Sequence, residues 1–299
     1  MSSAEIVLAM AAVFLGAPVL WSLVMLLRSP RATGPRSPWD WGLSLASTLA
    51  YALAFNVVFF VQELFLVVPK ALTPGLKPTL FHNNHAWTGQ NPLAELFQGT
   101  GALATVIVGL GFILWATRRP PRWLALRLFV VWMALLGLLE ALPQLLIGTV
   151  IPQNDVGRAM TYLGFPAASK LAASVAAMIA MVLTCGLVAP LFLTMVPGAD
   201  TQAPRGRART VLRYAVLPAL AAIALIVPFR VPGPMIEILF PPVVATGVAA
   251  AWLLAWSWPA PRGPAGPPSP RWSIAALLVA LGLLLALFQI VLRPGVRFF

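Results

Sequence analysis

Charge is what this chain has least of. Only 9% of its 299 residues are Asp, Glu, Lys or Arg, where a soluble domain carries about 25%. With a mean hydropathy of +0.89, that scarcity excludes a water-soluble globule and a disordered chain alike. Cysteine is almost absent too. The single Cys185, set in an apolar run, excludes a disulfide scaffold and reads as a packing residue. No glycine-rich phosphate loop interrupts the chain, which argues against ATP-driven chemistry within it.

Acidic residues are the scarcer sign: eight against 20 basic, a formal net charge of +12. Such an excess often points to nucleic acid. Here the arginines fall in short clusters between apolar runs, with no basic stripe interleaved with aromatic residues, so a nucleic-acid partner is not expected. The positive-inside bias accounts for them better, with loops facing the anionic headgroups of a lipid bilayer. Seventeen of the 20 basic residues are arginine, beside abundant Ala, Pro and Gly. That composition suggests a GC-rich bacterial coding sequence and a place in the bacterial cytoplasmic (inner) membrane.

What is present is apolar length. Eight runs, at about 4–27, 42–68, 93–117, 123–149, 171–196, 210–229, 238–258 and 272–292, can each cross roughly 30 Å of hydrocarbon at about 1.5 Å per residue. The expected fold is an all-α integral membrane protein, a single transmembrane domain over residues 1–299 built as a bundle of about eight helices. The start, Met1 to Glu5, lacks a basic stretch, so the first run reads as a span and not as a cleaved signal.

Basic residues set the orientation. The odd-numbered connections carry eleven: Arg28, Arg31, Arg36, Arg118, Arg119, Arg122, Arg205, Arg207, Arg209, Arg262 and Arg271. The other end carries seven: Lys70, Lys77, Arg158, Lys170, Arg230, Arg293 and Arg297. The bias predicts both termini outside, N-out and C-out.

Polar residues in the spans are unevenly spread. Glu63, Glu95 and Glu140, with Asn56, Gln62, Gln98 and Gln144, lie in or beside spans two to four, most of them in the outward half. An ionisable group in a span costs roughly 3 kcal/mol on insertion scales, so it faces a partner or a water-filled cavity. Glu140 and Gln144 share a helix face, and Pro143 between them frees a carbonyl one turn back, predicting a kink. Two accounts are open. These groups satisfy each other as interhelical glue, or they line a polar pocket open to the outside.

The polar outer loop, 69–92, holds both histidines, His82 and His85, with Asn83, Asn84 and Asn91. Asn91-Pro92 is a helix start that places Glu95 in the first turn. Two imidazoles and a carboxylate suit a divalent transition metal, zinc above all, and an open position would activate water. The expected ligands are His82, His85 and Glu95. The competing account is an interfacial loop whose His, Asn and Trp87 side chains bond headgroups. In the next outward loop, Asp155 either joins the site or, as favoured, pairs with its neighbour Arg158.

Three classes of function follow. The leading one is a membrane-embedded, metal-dependent hydrolase or transferase acting on a lipid or peptide bond. Glu63 and Glu140 are its catalytic carboxylates, and Asn56, Gln62, Asn83, Asn84, Gln98 and Gln144 contact substrate. Gln62-Glu63-Leu64-Phe65-Leu66 places its glutamate as a His-Glu-x-x-His motif would, but both histidines of that motif are missing, so no zinc-protease family is assigned. The second class is a proton- or cation-coupled transporter or channel, with bends at Pro143, Pro190, Pro218 and Pro241-Pro242. Against it, the cytoplasmic half offers little polar path. The third is a non-catalytic membrane-anchor subunit meeting an extracytoplasmic protein partner or a second copy of itself.

Overall fold

A computed structural model describes residues 2–30, 38–196, 201–261 and 272–299. Arg31, Arg36, Arg262 and Arg271, counted above for orientation, lie outside the described residues. Among the described residues, eight helices are long and apolar enough to cross a membrane: Ala4–Arg28, Trp41–Ala71, Leu93–Arg118, Leu124–Val150, Ala167–Leu193, Pro204–Arg230, Met235–Ser257 and Ile274–Leu292. These are the expected spans. The largest difference is in the sixth, which begins at Pro204.

Local chemistry explains where the helices start and break. Helix α1 (Ser3–Arg28) opens on a capping box, in which Ser2 Oγ accepts from the Glu5 amide and the Glu5 carboxylate accepts from the Ser2 amide. Helix α2 (Trp41–Ala71) is capped by Asp40, whose Oδ1 accepts from the Leu43 amide at 2.9 Å. The third span is α3 (Leu93–Leu96), a 3-10 turn at Phe97–Gly99, and α4 (Thr100–Arg118). The fourth divides into α5 (Leu124–Ala141) and α6 (Pro143–Val150), because Pro143 has no amide to continue the ladder.

A short helix, α7 (Asp155–Tyr162), then leads to α8 (Ala167–Leu193). The sixth span is α9 (Pro204–Val211), a π turn, α10 (Leu217–Ile226) and a 3-10 turn at Val227–Arg230. The last two spans are α11 (Met235–Ser257) and α12 (Trp272–Leu287).

The α5–α6 span stands at the centre, with 78% of its most apolar stretch buried, against 17% for α1 and 22% for the last span. Lipid tails are as apolar as leucine, so helices in a bilayer are held by close packing of small residues. A Cβ on Gly137 of α5 would come within 2.6 Å of Gly109 Cα on α4, so only glycine lets those backbones meet. In the core Tyr51, Phe55 and Trp132 are fully buried, Tyr51 meeting Trp132 edge-on at 4.8 Å between ring centres.

The loop between the second and third spans contains a hairpin. Strands β1 (Leu76–Leu80) and β2 (His85–Gly89) pair antiparallel, with Leu80 opposite His85 and Leu76 opposite Gly89. Strand β3 (Val296–Arg297), beyond the last span, adds to the other edge of β1, giving the order β2-β1-β3. Pro78 inside β1 hides this strand in the sequence, because proline cannot donate to a ladder. The hairpin therefore fixes residues 82–85 above the bundle, where an irregular loop was expected.

Candidate functional site

A cavity of about 370 Å³ opens at the hairpin end of the bundle, within the size range of small-ligand sites. Five segments supply its walls: α2, the hairpin turn, the α5–α6 break, the start of α7, and the junction of Arg230 with α11. The break works as the sequence implied. Glu140 and Gln144 both face the cavity across Pro143, and Gln144 Nε2 donates to the Glu140 carbonyl at 3.0 Å and to Gln62 Oε1 at 2.8 Å.

Glu63 comes from α2 and His85 from the first residue of β2. Both side chains are buried, with Glu63 Oε2 2.8 Å from His85 Nδ1. His85 Nε2 lies 3.1 Å from Gln98 Oε1, so both ring nitrogens are engaged. The imidazole also stacks on Trp87, over whose ring the buried Lys70 ammonium sits at 4.6 Å.

The wall facing these groups carries Arg230. Its guanidinium lies 4.0 Å from the centre of the Phe59 ring, and its Nη2 donates to the Glu237 carbonyl at 2.8 Å. Asn83 Nδ2 donates to the Arg230 carbonyl, and Asn84 Nδ2 donates to Glu237 Oε2 at 3.2 Å. The hairpin is thus tied to the sixth and seventh spans by two asparagine side chains.

Asp155 completes the ring. Asn154 caps α7 through the Gly157 amide at 2.7 Å, and the close approach of Gly148 to Gly157 seats α7 against α6. Asp155 then lines the cavity. Burial pushes its carboxyl up to about 6, and the nearby Glu63 charge adds to this, while His85, Lys70 and Arg158 oppose it.

The charge inventory is lopsided. Four of the eight acidic residues in the protein, Glu63, Glu140, Asp155 and Glu237, line this one cavity, against one of its 20 basic residues, Arg230. Two of these groups have buried polar atoms without partners: both carboxylate oxygens of Glu140 and Nε of Arg230. Buried polar groups are normally satisfied, so these exceptions lack a partner that the protein itself supplies.

The remaining expected residues lie elsewhere. Asn56 is buried but donates to the carbonyl of Ala52 in its own helix at 2.8 Å. Gln98 stands behind the cavity as the partner of His85. Glu95 pairs with Arg158 at 3.3 Å, both side chains well exposed, so Arg158 does not take Asp155 as the sequence reading favoured. His82 is buried off the cavity with neither nitrogen bonded, and burial together with the charges of Arg293 and Arg230 pushes its pKa down.

The three expected metal ligands are consequently not brought together. His85 is used at both nitrogens, His82 lies apart, and Glu95 is turned to Arg158. Among the described residues, no group of three His, Cys, Asp or Glu could hold a metal ion. The donor set does not fit zinc.

Arg230 and Glu237 are charged cavity residues that the sequence does not place there, and Asp155 takes the less favoured of its two expected positions. Arg230 was one more loop charge, and its contacts to the hairpin span 147 residues. No protein-family model matches this chain, and no curated protein or solved structure is significantly similar to it.

Proposed function

We propose that the cavity is a binding and reaction site for a ligand carrying positive charge, in a membrane-embedded hydrolase or transferase that works through carboxylates. The observation that carries this reading is Glu140, a buried carboxyl on the cavity with no protein donor for either oxygen. Such a group takes its partner from whatever fills the cavity. On another wall of the same cavity, Glu63 holds His85 in a fixed orientation. An oriented carboxylate and a second carboxyl group on one cavity are the kind of pair that general acid–base catalysis of bond cleavage uses. The arginines at the other end, among them Arg118, Arg119, Arg122, Arg205, Arg207 and Arg209, favour a cytoplasmic place for that end and an extracytoplasmic cavity. The bacterial cytoplasmic membrane is the corresponding location.

The test is turnover. Protein in proteoliposomes of bacterial polar lipids is incubated and products are resolved by mass spectrometry, beside Glu63→Gln and Glu140→Gln. Product formed by the native protein and lost in both variants, with both variants still folded in detergent, is the expected result.

One observation favours a transporter as the second reading. Below the cavity, Tyr51 Oη meets Thr246 Oγ1 at 2.6 Å and Trp132 Nε1 donates to Ser47 Oγ at 3.1 Å, so polar groups continue along α2. Proton flux into the same vesicles without any product would replace the enzymatic reading with this one.

A further inference from the structure

The cavity carries both signs of unanswered charge. Glu140, 8% exposed, presents two carboxylate oxygens without donors, and Arg230, 3% exposed, presents an Nε without an acceptor. A simple cation would leave the guanidinium unanswered, and a simple anion would meet four carboxylates. A zwitterion answers both, its anionic group on the guanidinium fork and its ammonium on Glu140. Glu140 lacks hydrogen-bond donors and not only positive charge, so the matching cation is one with N–H groups.

The mouth of the cavity says where such a ligand comes from. Ile236 and Phe240 belong to the lining yet are 66% and 39% exposed, and Met235 beside them is 66% exposed. They occupy the first turns of a membrane span, the depth at which headgroups give way to acyl chains. An apolar lip beside a charged chamber matches an amphiphile whose head enters and whose tails stay in the bilayer.

We propose that the ligand is the zwitterionic headgroup of an amine-bearing phospholipid. Its phosphate sits on Arg230, its ammonium on Glu140, and its acyl chains leave over Ile236 and Phe240. This deepens the reading of the cavity as a ligand site and does not depend on any reaction taking place there.

The experiment is lipid retention by native mass spectrometry of the full-length protein in detergent. It is offered phosphatidylethanolamine, phosphatidylcholine and phosphatidylglycerol of identical acyl chains, with soluble phosphoethanolamine in a separate arm. Phosphatidylethanolamine is expected to be retained at least about tenfold better than phosphatidylcholine, whose ammonium has no N–H, and better than anionic phosphatidylglycerol. Glu140→Gln and Arg230→Lys should each lower that retention about tenfold. Should Arg230→Lys fail to fold, the headgroup ranking on the native protein still decides.

Equal retention of phosphatidylglycerol, or retention undiminished in Glu140→Gln, overturns the assignment. Binding of phosphoethanolamine with no lipid retained overturns the lipid source. Retention as expected, with no product in the turnover assay, supports this assignment while removing the enzymatic reading.

Discussion

Two polar clusters on α2 behave as opposites. Near the middle of the bundle, Ser47 Oγ donates to the Tyr214 carbonyl at 2.6 Å and accepts from Trp132 Nε1, while Tyr51 pairs with Thr246. Ser47, Tyr51, Trp132 and Thr246 are all fully buried, and aromatic rings fill the space between them. Three to four turns further along α2, Gln62 and Glu63 reach a cavity of about 370 Å³ in which Glu140 has no partner. Buried polar side chains in a membrane therefore serve two ends, and satisfaction by the protein itself separates them better than residue type does. The Gln62–Gln144 bond at the cavity wall is a piece of interhelical glue inside the site.

The sharpest way to break the contrast is to remove the filler of the satisfied cluster. Trp132→Ala should destabilise the protein by about 3–5 kcal/mol, read as a lowered thermal unfolding midpoint in detergent. A loss under about 1 kcal/mol would mean that this cluster does not hold the bundle together. Glu63→Gln comes next. It removes the charged partner of His85 and should cost about 1.5–3 kcal/mol, with a larger effect on turnover or ligand retention than on folding. A stability loss as large as that of Trp132→Ala, with function intact, would move Glu63 from the site to the glue.

How much of this was legible depended on whether the signal was local. Eight spans follow from apolar length, and the meeting of Glu140 with Gln144 follows from helical spacing across Pro143. Both are properties of adjacent turns. The far wall of the cavity was hidden because Asn83–Arg230 and Asn84–Glu237 join residues about 150 positions apart. The histidine pair misled for a related reason. Three-residue spacing brings ligands together on a helix, but His82 and His85 flank a hairpin turn, which sends one into the protein and the other toward Glu63. Asp155 and Arg158 share a short helix, yet Asp155 lines the cavity and Arg158 reaches Glu95 on α3.

Asp155 offers a finer test of the same contrast, because desolvation at the cavity raises its carboxyl from 3.8 to about 6. A raised acid binds its proton more tightly in the folded state than in the unfolded one. Stability should therefore fall as pH rises between about 4 and 6, and above 6 it should carry a constant penalty on the order of 1–3 kcal/mol. Asp155→Asn lacks that penalty. It should match the native protein near pH 4 and exceed it at pH 7 in thermal unfolding. Curves that stay parallel across this range would show that Asp155 is solvated and that the cavity does not extend to α7.

The smallest effect belongs to Glu95, which separates an exposed pair from a ligand set. Its contact with Arg158 is 3.3 Å long and largely open to solvent, so Glu95→Gln should change stability by less than about 1 kcal/mol, and by less still in high salt. The same variant distinguishes the two roles this residue was offered. A carboxylate that completes a metal centre cannot be made an amide without loss of metal, whereas one that only faces an arginine can. Elemental mass spectrometry of the purified protein should therefore give the same metal content for Glu95→Gln and for the native chain. A stoichiometric metal lost in the variant would mean that His82, His85 and Glu95 meet in another arrangement, one in which His85 leaves Glu63 and Gln98.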